Sequence, residues 1–188
     1  DLLINVGIKL PDRVLNSYPH QLSGGMLQRA LIAMVIALRP EFIVADEPTT
    51  NLDNLVERQI LDLIRTHQKR IGASVLFVTH DLAIAAEICD RIAVMYAGEI
   101  VETGSAHDVL KNRIIRQGVF SMSNEETLLS AHALTLDFRI GRHLSGDSLL
   151  RALDHVSLDI RAGEIIGLVG ESGSGKTTLG KTLLGVYQ

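Results

Sequence analysis

An α/β fold is what this sequence predicts: a parallel sheet with covering helices, joined to an antiparallel β part. Three observations carry that expectation. Continuous apolar runs at Phe42–Ala45, Ser74–Val78 and Ile165–Val169 read as strands buried on both faces. Apolar residues at helical spacing follow each of these runs, and strand–helix–strand order builds parallel sheets. Leu134, Leu136, Phe138 and Ile140, then Val156, Leu158 and Ile160, alternate with polar neighbours at the period of a half-buried antiparallel strand.

Taken in order, Asp1–Leu10 spaces Leu2, Leu3, Val6, Ile8 and Leu10 helically before Pro11. A second helix runs over Met26–Leu38 and stops at Arg39-Pro40, because proline disfavours a helical residue before it. Val56, Ile60, Leu63 and Ile64 mark one face of a helix ending near Gly72, and Leu82–Cys89 resumes that spacing. Ile92–Val101 reads as a hairpin turning at Ala97-Gly98. The pattern lapses over residues 113–127, read as a linker, and Gly141–Ser148 reads as a loop. Ala162-Gly163-Glu164 turns the chain into Ile165–Val169, and a last helix covers Lys176–Leu184.

Composition excludes several classes. With 46% hydrophobic residues and a mean hydropathy of +0.22, the 188-residue chain has matter for a core and is not wholly disordered. Eighteen basic against 22 acidic residues give a net charge of −4, which lacks the electrostatic footprint of a nucleic-acid binder. One cysteine, Cys89, closes no intrachain disulfide and points to a reducing compartment. The longest apolar run, Ala30–Leu38, is nine residues and falls short of a membrane span. There is no basic start followed by an apolar stretch, so no secretory signal is expected. The chain opens at Asp1 rather than methionine, as a piece of something longer would.

Four motifs carry chemistry. Gly170-Glu171-Ser172-Gly173-Ser174-Gly175-Lys176-Thr177 fits G-x-x-x-x-G-K-[ST] at every fixed position, between a strand and a helix. Glycines let the backbone curl so that its amides form a nest for phosphate oxygens. The positive end of the following helix would face the same anion, Lys176 would reach the outer phosphates, and the Thr177 hydroxyl would sit on Mg²⁺. Phe42–Glu47 delivers two acids at the C-terminal end of a strand, where ligands sit in such sheets. Asp46 would hold Mg²⁺ through water and Glu47 would orient the attacking water; many buried strands also end in an acid. His80, just past another strand, would hydrogen-bond a γ-phosphate or simply take a local partner. Ser23-Gly24-Gly25 ahead of a helix offers free amides to an anion, or is only a good helix start.

Together these pieces resemble the ATP-binding cassette ATPases. The order Leu22-Ser23-Gly24-Gly25-Met26-Leu27-Gln28-Arg29, Phe42–Pro48, Asn51-Leu52-Asp53 and His80 corresponds to their signature, Walker B, D-loop and switch histidine; Gly170–Thr178 is similar to Walker A. Tyr18-Pro19-His20-Gln21, Ala45–Thr50 and Met95-Tyr96-Ala97-Gly98 look like the peptide- and nickel-importer branch. The resemblance implies an ATP-hydrolysing engine of a membrane importer, using Mg²⁺ and attached peripherally to the cytoplasmic face of the plasma membrane. It implies a second ATPase domain as partner, with permease subunits, a substrate-binding protein indirectly, and no nucleic acid. Ser23, Gly24, Gly25 and Gln28 would meet a nucleotide held by the other domain, and Asp53 would couple the two sites. Phe138 sits where the family often puts an aromatic stacking on adenine, although a strand phenylalanine also serves a core.

The motif order departs from one complete cassette. Lys176 follows Ser23 by 153 positions, whereas in the family Walker A comes first, and the intervening glutamine-loop segment is missing. The expected organisation is residues 1–112 as the back of one ATPase domain, 113–127 as linker, and 128–188 as the front of a second. Alternatively the pieces fold together as a permuted core with Ile165–Val169 beside Phe42–Ala45, so that Lys176, Asp46, Glu47 and His80 share one site. The sequence leaves both open.

Overall fold

The computed structural model of the chain describes residues 2–110, 126–143 and 146–187. Its elements are α1 (Leu2–Asn5), α2 (Pro11–Leu15), α3 (Gly24–Ala37), β1 (Phe42–Asp46), α4 (Asn54–Ile71), β2 (Ser74–Thr79), α5 (Leu82–Ile88), β3 (Arg91–Tyr96), β4 (Glu99–Ser105), α6 (Ala106–Leu110), β5 (Thr127–His143), β6 (Gly146–Arg161), β7 (Ile165–Gly170) and α7 (Lys176–Leu183).

Local chemistry sets these boundaries. Ser23 caps α3, its Oγ accepting from the Met26 amide at 3.3 Å. Asp53 caps α4 by accepting from Leu55 and Val56 at 3.1 and 3.0 Å, and Asp81 caps α5 in the same way. Gly72, at φ +71°, closes α4 in the left-handed conformation that costs glycine least.

Five strands form one sheet in the order β1-β2-β7-β3-β4, all parallel except β4. β7 comes from the far end of the chain yet lies in the middle of this sheet. It pairs with β2 and β3, so the expectation that it lies beside Phe42–Ala45 is corrected: β2 stands between them. β5 and β6 pair antiparallel as a separate hairpin.

Side chains of the sheet pack on both faces. Val75, Phe77 and Ile92 meet Leu61 of α4 and Ile88 of α5 on one face. Leu76, Leu168 and Ile166 meet Leu179 of α7 and Leu153, Val156, Leu158 and Ile160 of β6 on the other. Burying each large side chain contributes about 1.5–3 kcal/mol. A third, smaller cluster joins Val6, Ile8 and Val14 to Ala33 and Ile36 of α3.

The turn before β7 is bolted to β2. Ser74 Oγ donates to the Arg161 carbonyl at 2.9 Å and accepts from the Gly163 amide at 2.9 Å. Gln68 Nε2 donates to the carbonyls of Ala73 and Gly163, both at 2.8 Å.

Three further expectations change. The first helix covers only Leu2–Asn5, because Gly7 takes φ +82° and breaks it, although Val6 and Ile8 are still buried. β1 is half-buried rather than buried, being the edge strand of the sheet. Residues 141–143 and 146–148, expected as loop, are strand, since pairing continues through Arg142↔Asp147 and His143↔Gly146. The expected linker lies outside the described residues except for Glu126 and Thr127, and Thr127 already pairs with Arg161.

Candidate functional site

Parallel strands place their C-terminal ends on one edge, and the loops that follow β1, β2 and β7 meet there. The loop after β7 fits only glycine at two points. A Cβ on Gly170 would lie 2.1 Å from the Met95 carbonyl oxygen, and one on Gly175, at φ +103°, 2.6 Å from that of Ala152. The β3–β4 turn buttresses the loop: the Gly98 amide donates to the Ser174 carbonyl and the Asp154 amide to the Gly98 carbonyl, each at 2.9 Å.

Lys176 is buried at the start of α7, and its Nζ donates to the carbonyls of Gly170 and Glu171 at 2.9 and 2.8 Å. The loop is thus curled around its own ammonium. An anion entering the nest meets a fixed positive charge already desolvated. The Ser174 hydroxyl is also buried, with no hydrogen-bond partner among the described residues.

Asp46 ends β1 opposite this loop, and Thr177 Oγ1 donates to its Oδ1 at 3.2 Å. Glu47 follows at φ +46°, its amide donating to the Val78 carbonyl at 2.9 Å. Thr50 Oγ1 donates to Glu47 Oε2 at 2.8 Å, and His80 Nδ1 lies 3.3 Å from Oε1. The Thr50 hydrogen bond, then His80 and the Lys176 charge, hold the Glu47 carboxyl below its ordinary value against a partial loss of hydration. Glu47 is therefore ionised at neutral pH, with two acceptor oxygens.

Of these groups Glu47, Lys176 and Thr177 border a cleft of 570 Å³, whose walls also include Gly98, Phe138 and Arg151. Ser172, Gly173 and Thr178 also line it. Phe138 meets Tyr187 edge-on at 5.3 Å. Arg151 pairs with Asp137 at 3.0 Å and Asp154 at 3.3 Å. Arg151, Thr50 and the Gly98 buttress are not singled out by the sequence; the Ala97-Gly98 turn was its only signal for the last.

The oxygens at this edge suit a small divalent cation. The Thr177 hydroxyl and the Asp46 carboxylate are hard donors side by side. No cluster of three or more His, Cys, Asp or Glu gathers among the described residues, so such a cation would complete its shell with water and phosphate oxygens, as Mg²⁺ does.

The signature residues stand apart from this cleft. Ser23, Gly24, Gly25 and Asp53 line a separate one of 270 Å³, between the starts of α3 and α4. Gly25 packs so closely on α4 that a Cβ would lie 2.7 Å from Val56 Cγ1. Gln28 donates to the Pro48 carbonyl, and Asp53 is occupied in capping α4. The structure thus brings Lys176, Thr177, Asp46, Glu47 and His80 together, and leaves Ser23–Gly25 outside.

Residues 1–50 and 153–188 match the family described as ABC transporter. The peptidoglycan transport ATP-binding protein YejF of Agrobacterium fabrum is 41% identical over 197 residues, covering 97% of this chain and 36% of that protein. The glutathione import ATP-binding protein GsiA of Salmonella choleraesuis is 34% identical over 223 residues, with the same 97% and 36% coverage. The oligopeptide transport ATP-binding protein OppD of Bacillus subtilis is 50% identical over 109 residues, 58% of this chain and 30% of OppD. The chain therefore spans about a third of the length of these relatives. Among solved structures, cbiO1 from Clostridium perfringens, described as part of the ABC transporter complex cbiONQ, superposes with a TM-score of 0.52 at 32% identity, over 60% of this chain and 43% of its own. One matched stretch carries Asp46 and Glu47 and the other the glycine-rich loop after β7; the fold brings them to one sheet edge, and the chain belongs to the ABC transporter family of ATP-binding proteins.

Proposed function

We propose that the chain binds Mg²⁺-ATP in the Lys176–Glu47 cleft and hydrolyses it, as part of the energising subunit of an importer for peptides or a related small solute such as glutathione or nickel. The observation that carries this reading is the meeting of Lys176, Thr177–Asp46 and Glu47–His80 at one sheet edge. Amides of residues 170–177 would cradle the phosphates, and Lys176 Nζ would exchange its loop carbonyls for β- and γ-phosphate oxygens. Thr177 and Asp46 would hold Mg²⁺, which when bound neutralises charge developing on those oxygens. The ionised Glu47 would accept a hydrogen bond from water and aim it at the γ-phosphorus, whose bond to the β-phosphate oxygen breaks to release ADP, while His80 contacts the γ-phosphate. Phe138 would lie against the base.

Ser23, Gly24 and Gly25, outside this cleft, would serve a nucleotide held by a second ATPase domain, with Gln28 beside them and Asp53 at the coupling surface. Permease subunits, with a substrate-binding protein indirectly, complete the assembly at the cytoplasmic face of the plasma membrane. No helix among the described residues is long and apolar enough to cross a membrane, which fits peripheral attachment. Residues 1–112 and 128–188 are read as the back and the front of a cassette that here fold onto one sheet, so that Lys176, Asp46, Glu47 and His80 share one site.

Titration calorimetry with Mg²⁺ and a slowly hydrolysed ATP analogue, alongside phosphate release, tests this reading. Lys176→Ala is expected to lose binding. Glu47→Gln is expected to keep binding and lose turnover by about 10²–10⁴-fold, the range for a positioned base. Equal binding by wild type and Lys176→Ala overturns the reading; binding without turnover in the wild type reduces it to a nucleotide-binding module that acts with a partner.

A further inference from the structure

Glu47 leaves β1 with its main chain held on both sides. Its amide donates to the Val78 carbonyl at 2.9 Å, and its carbonyl accepts from the Thr50 amide at 3.2 Å. The second bond closes a β-turn over residues 47–50, with Pro48 at the position where a ring fixed at a φ of about −65° suits such turns. Pro48 and Thr49 are buried, and Gln28 of α3 donates to the Pro48 carbonyl, so the turn is tied to the helix beside it. What the backbone leaves free is the Glu47 side chain. It is 38% exposed and has several staggered rotamers open to it, whereas a group that orients water must point its carboxylate one way.

Two groups restrain that carboxylate, and they differ. His80 Nδ1 stands 3.3 Å from Oε1, on a side chain 62% exposed. Where His80 also contacts the γ-phosphate, as the proposed function has it, the nucleotide competes for its hold on Glu47. Thr50 Oγ1 donates to Oε2 at 2.8 Å. An ionised carboxylate only accepts, so the hydroxyl is the donor and the bond is charge-assisted. Thr50 ends the turn that Glu47 begins, so it stays with the residue it restrains whether or not nucleotide is bound. Each carboxylate oxygen accepts two hydrogen bonds, and a bond at Oε2 still leaves room for water. Thr50 is exposed, so its hydroxyl does nothing for the core, and its partner among the described residues is Glu47.

We propose that Thr50 is a positioning residue for hydrolysis: its hydroxyl, carried on the 47–50 turn, holds the Glu47 carboxylate in the orientation from which it receives the attacking water. This role rests on that of Glu47 as the residue orienting the water.

Thr50→Val keeps the shape of the side chain and removes the donor, while Thr50→Ser keeps the donor. Single-turnover phosphate release at saturating Mg²⁺-ATP reads the chemical step, and calorimetry with the slowly hydrolysed analogue reads binding. Thr50→Val is expected to slow release about 10-fold with binding unchanged within about 2-fold, and Thr50→Ser to restore the rate within about 3-fold. Thr50→Ala carries the same expectation and stands in should the valine variant not fold.

A second readout needs no turnover. ¹³C relaxation of the Glu47 Cγ methylene, in glutamate-labelled protein, should give a lower order parameter in Thr50→Val than in wild type or Thr50→Ser. Unchanged release in Thr50→Val overturns the proposal. So does a loss that Thr50→Ser shares, or one that comes with lost binding, since the turn rather than the hydroxyl is then at work. A wild type that binds the analogue without releasing phosphate removes the hydrolytic reading of the site by itself, and the methylene then decides. Equal order in wild type and Thr50→Val shows that Thr50 restrains nothing, and lower order in the valine variant alone upholds its hold on Glu47.

Discussion

Replacing Ser74 by alanine tests whether the two ends of the chain form one folded unit. Ser74 is 1% exposed, and its hydroxyl ties β2 to the turn that launches β7. Alanine removes both bonds and leaves the Gly163 amide, in an exposed turn, without its Ser74 acceptor. Two hydrogen bonds lost at about 0.5–1.5 kcal/mol each cost about 1–3 kcal/mol. At about 2–4 °C per kcal/mol for a chain of this size, the midpoint of thermal unfolding should fall by about 4–8 °C at the centre of that range. The chain has no tryptophan, so far-UV circular dichroism should follow the melt, with hydrogen exchange reporting on single strands. If β7 belongs to the same sheet, amides of β1, β2 and β7 lose protection together. A shift under about 1 °C, or loss of protection in β7 while β1 and β2 keep theirs, refutes the single-sheet reasoning.

Other perturbations give sharp outcomes. Gly170→Ala drives a Cβ to 2.1 Å from the Met95 carbonyl, so the phosphate loop must move off β3; a loss of about 1–3 kcal/mol and of analogue binding is expected in urea melts and calorimetry, and wild-type values for both would refute the fit. The Cys89 thiol is buried, and burial pushes it up to about 12, so iodoacetamide at pH 8 should label it only after denaturation; rapid labelling of native protein contradicts that. Burial raises the Glu164 carboxyl above its ordinary 4.5, opposed by the Arg161 amide and the Arg91 charge. A folded value above the unfolded one gives stability present below pH 4.5 and lost as pH rises through the folded value. Glu164→Gln should flatten that decline in denaturation midpoints taken across the window, and an unchanged slope would remove Glu164 as its source.

Most of the site was legible in the residues themselves. A glycine-rich bend, its lysine and the acids closing a hydrophobic run announce phosphate chemistry because backbone reach and charge leave few alternatives at that spacing. Arg151 gave no such sign: its place on the cleft wall depends on the register of β5 against β6, where bulges shift the pairing between Ala131 and Leu134 and again between Leu136 and Asp137. Gly7 was read through as helix because apolar spacing does not report a positive φ.

The sequence by itself pointed to the core strands, the long helices and their order, and to a glycine-rich bend suited to phosphate, since spacing, capping and glycine freedom are properties of neighbours along the chain. Only the tertiary structure decided that β7 enters between β2 and β3, that Thr177 meets Asp46, and that Ser23 stays in another cleft. Those outcomes follow from how strands share hydrogen bonds and bury both faces, a competition among distant segments that no local pattern records.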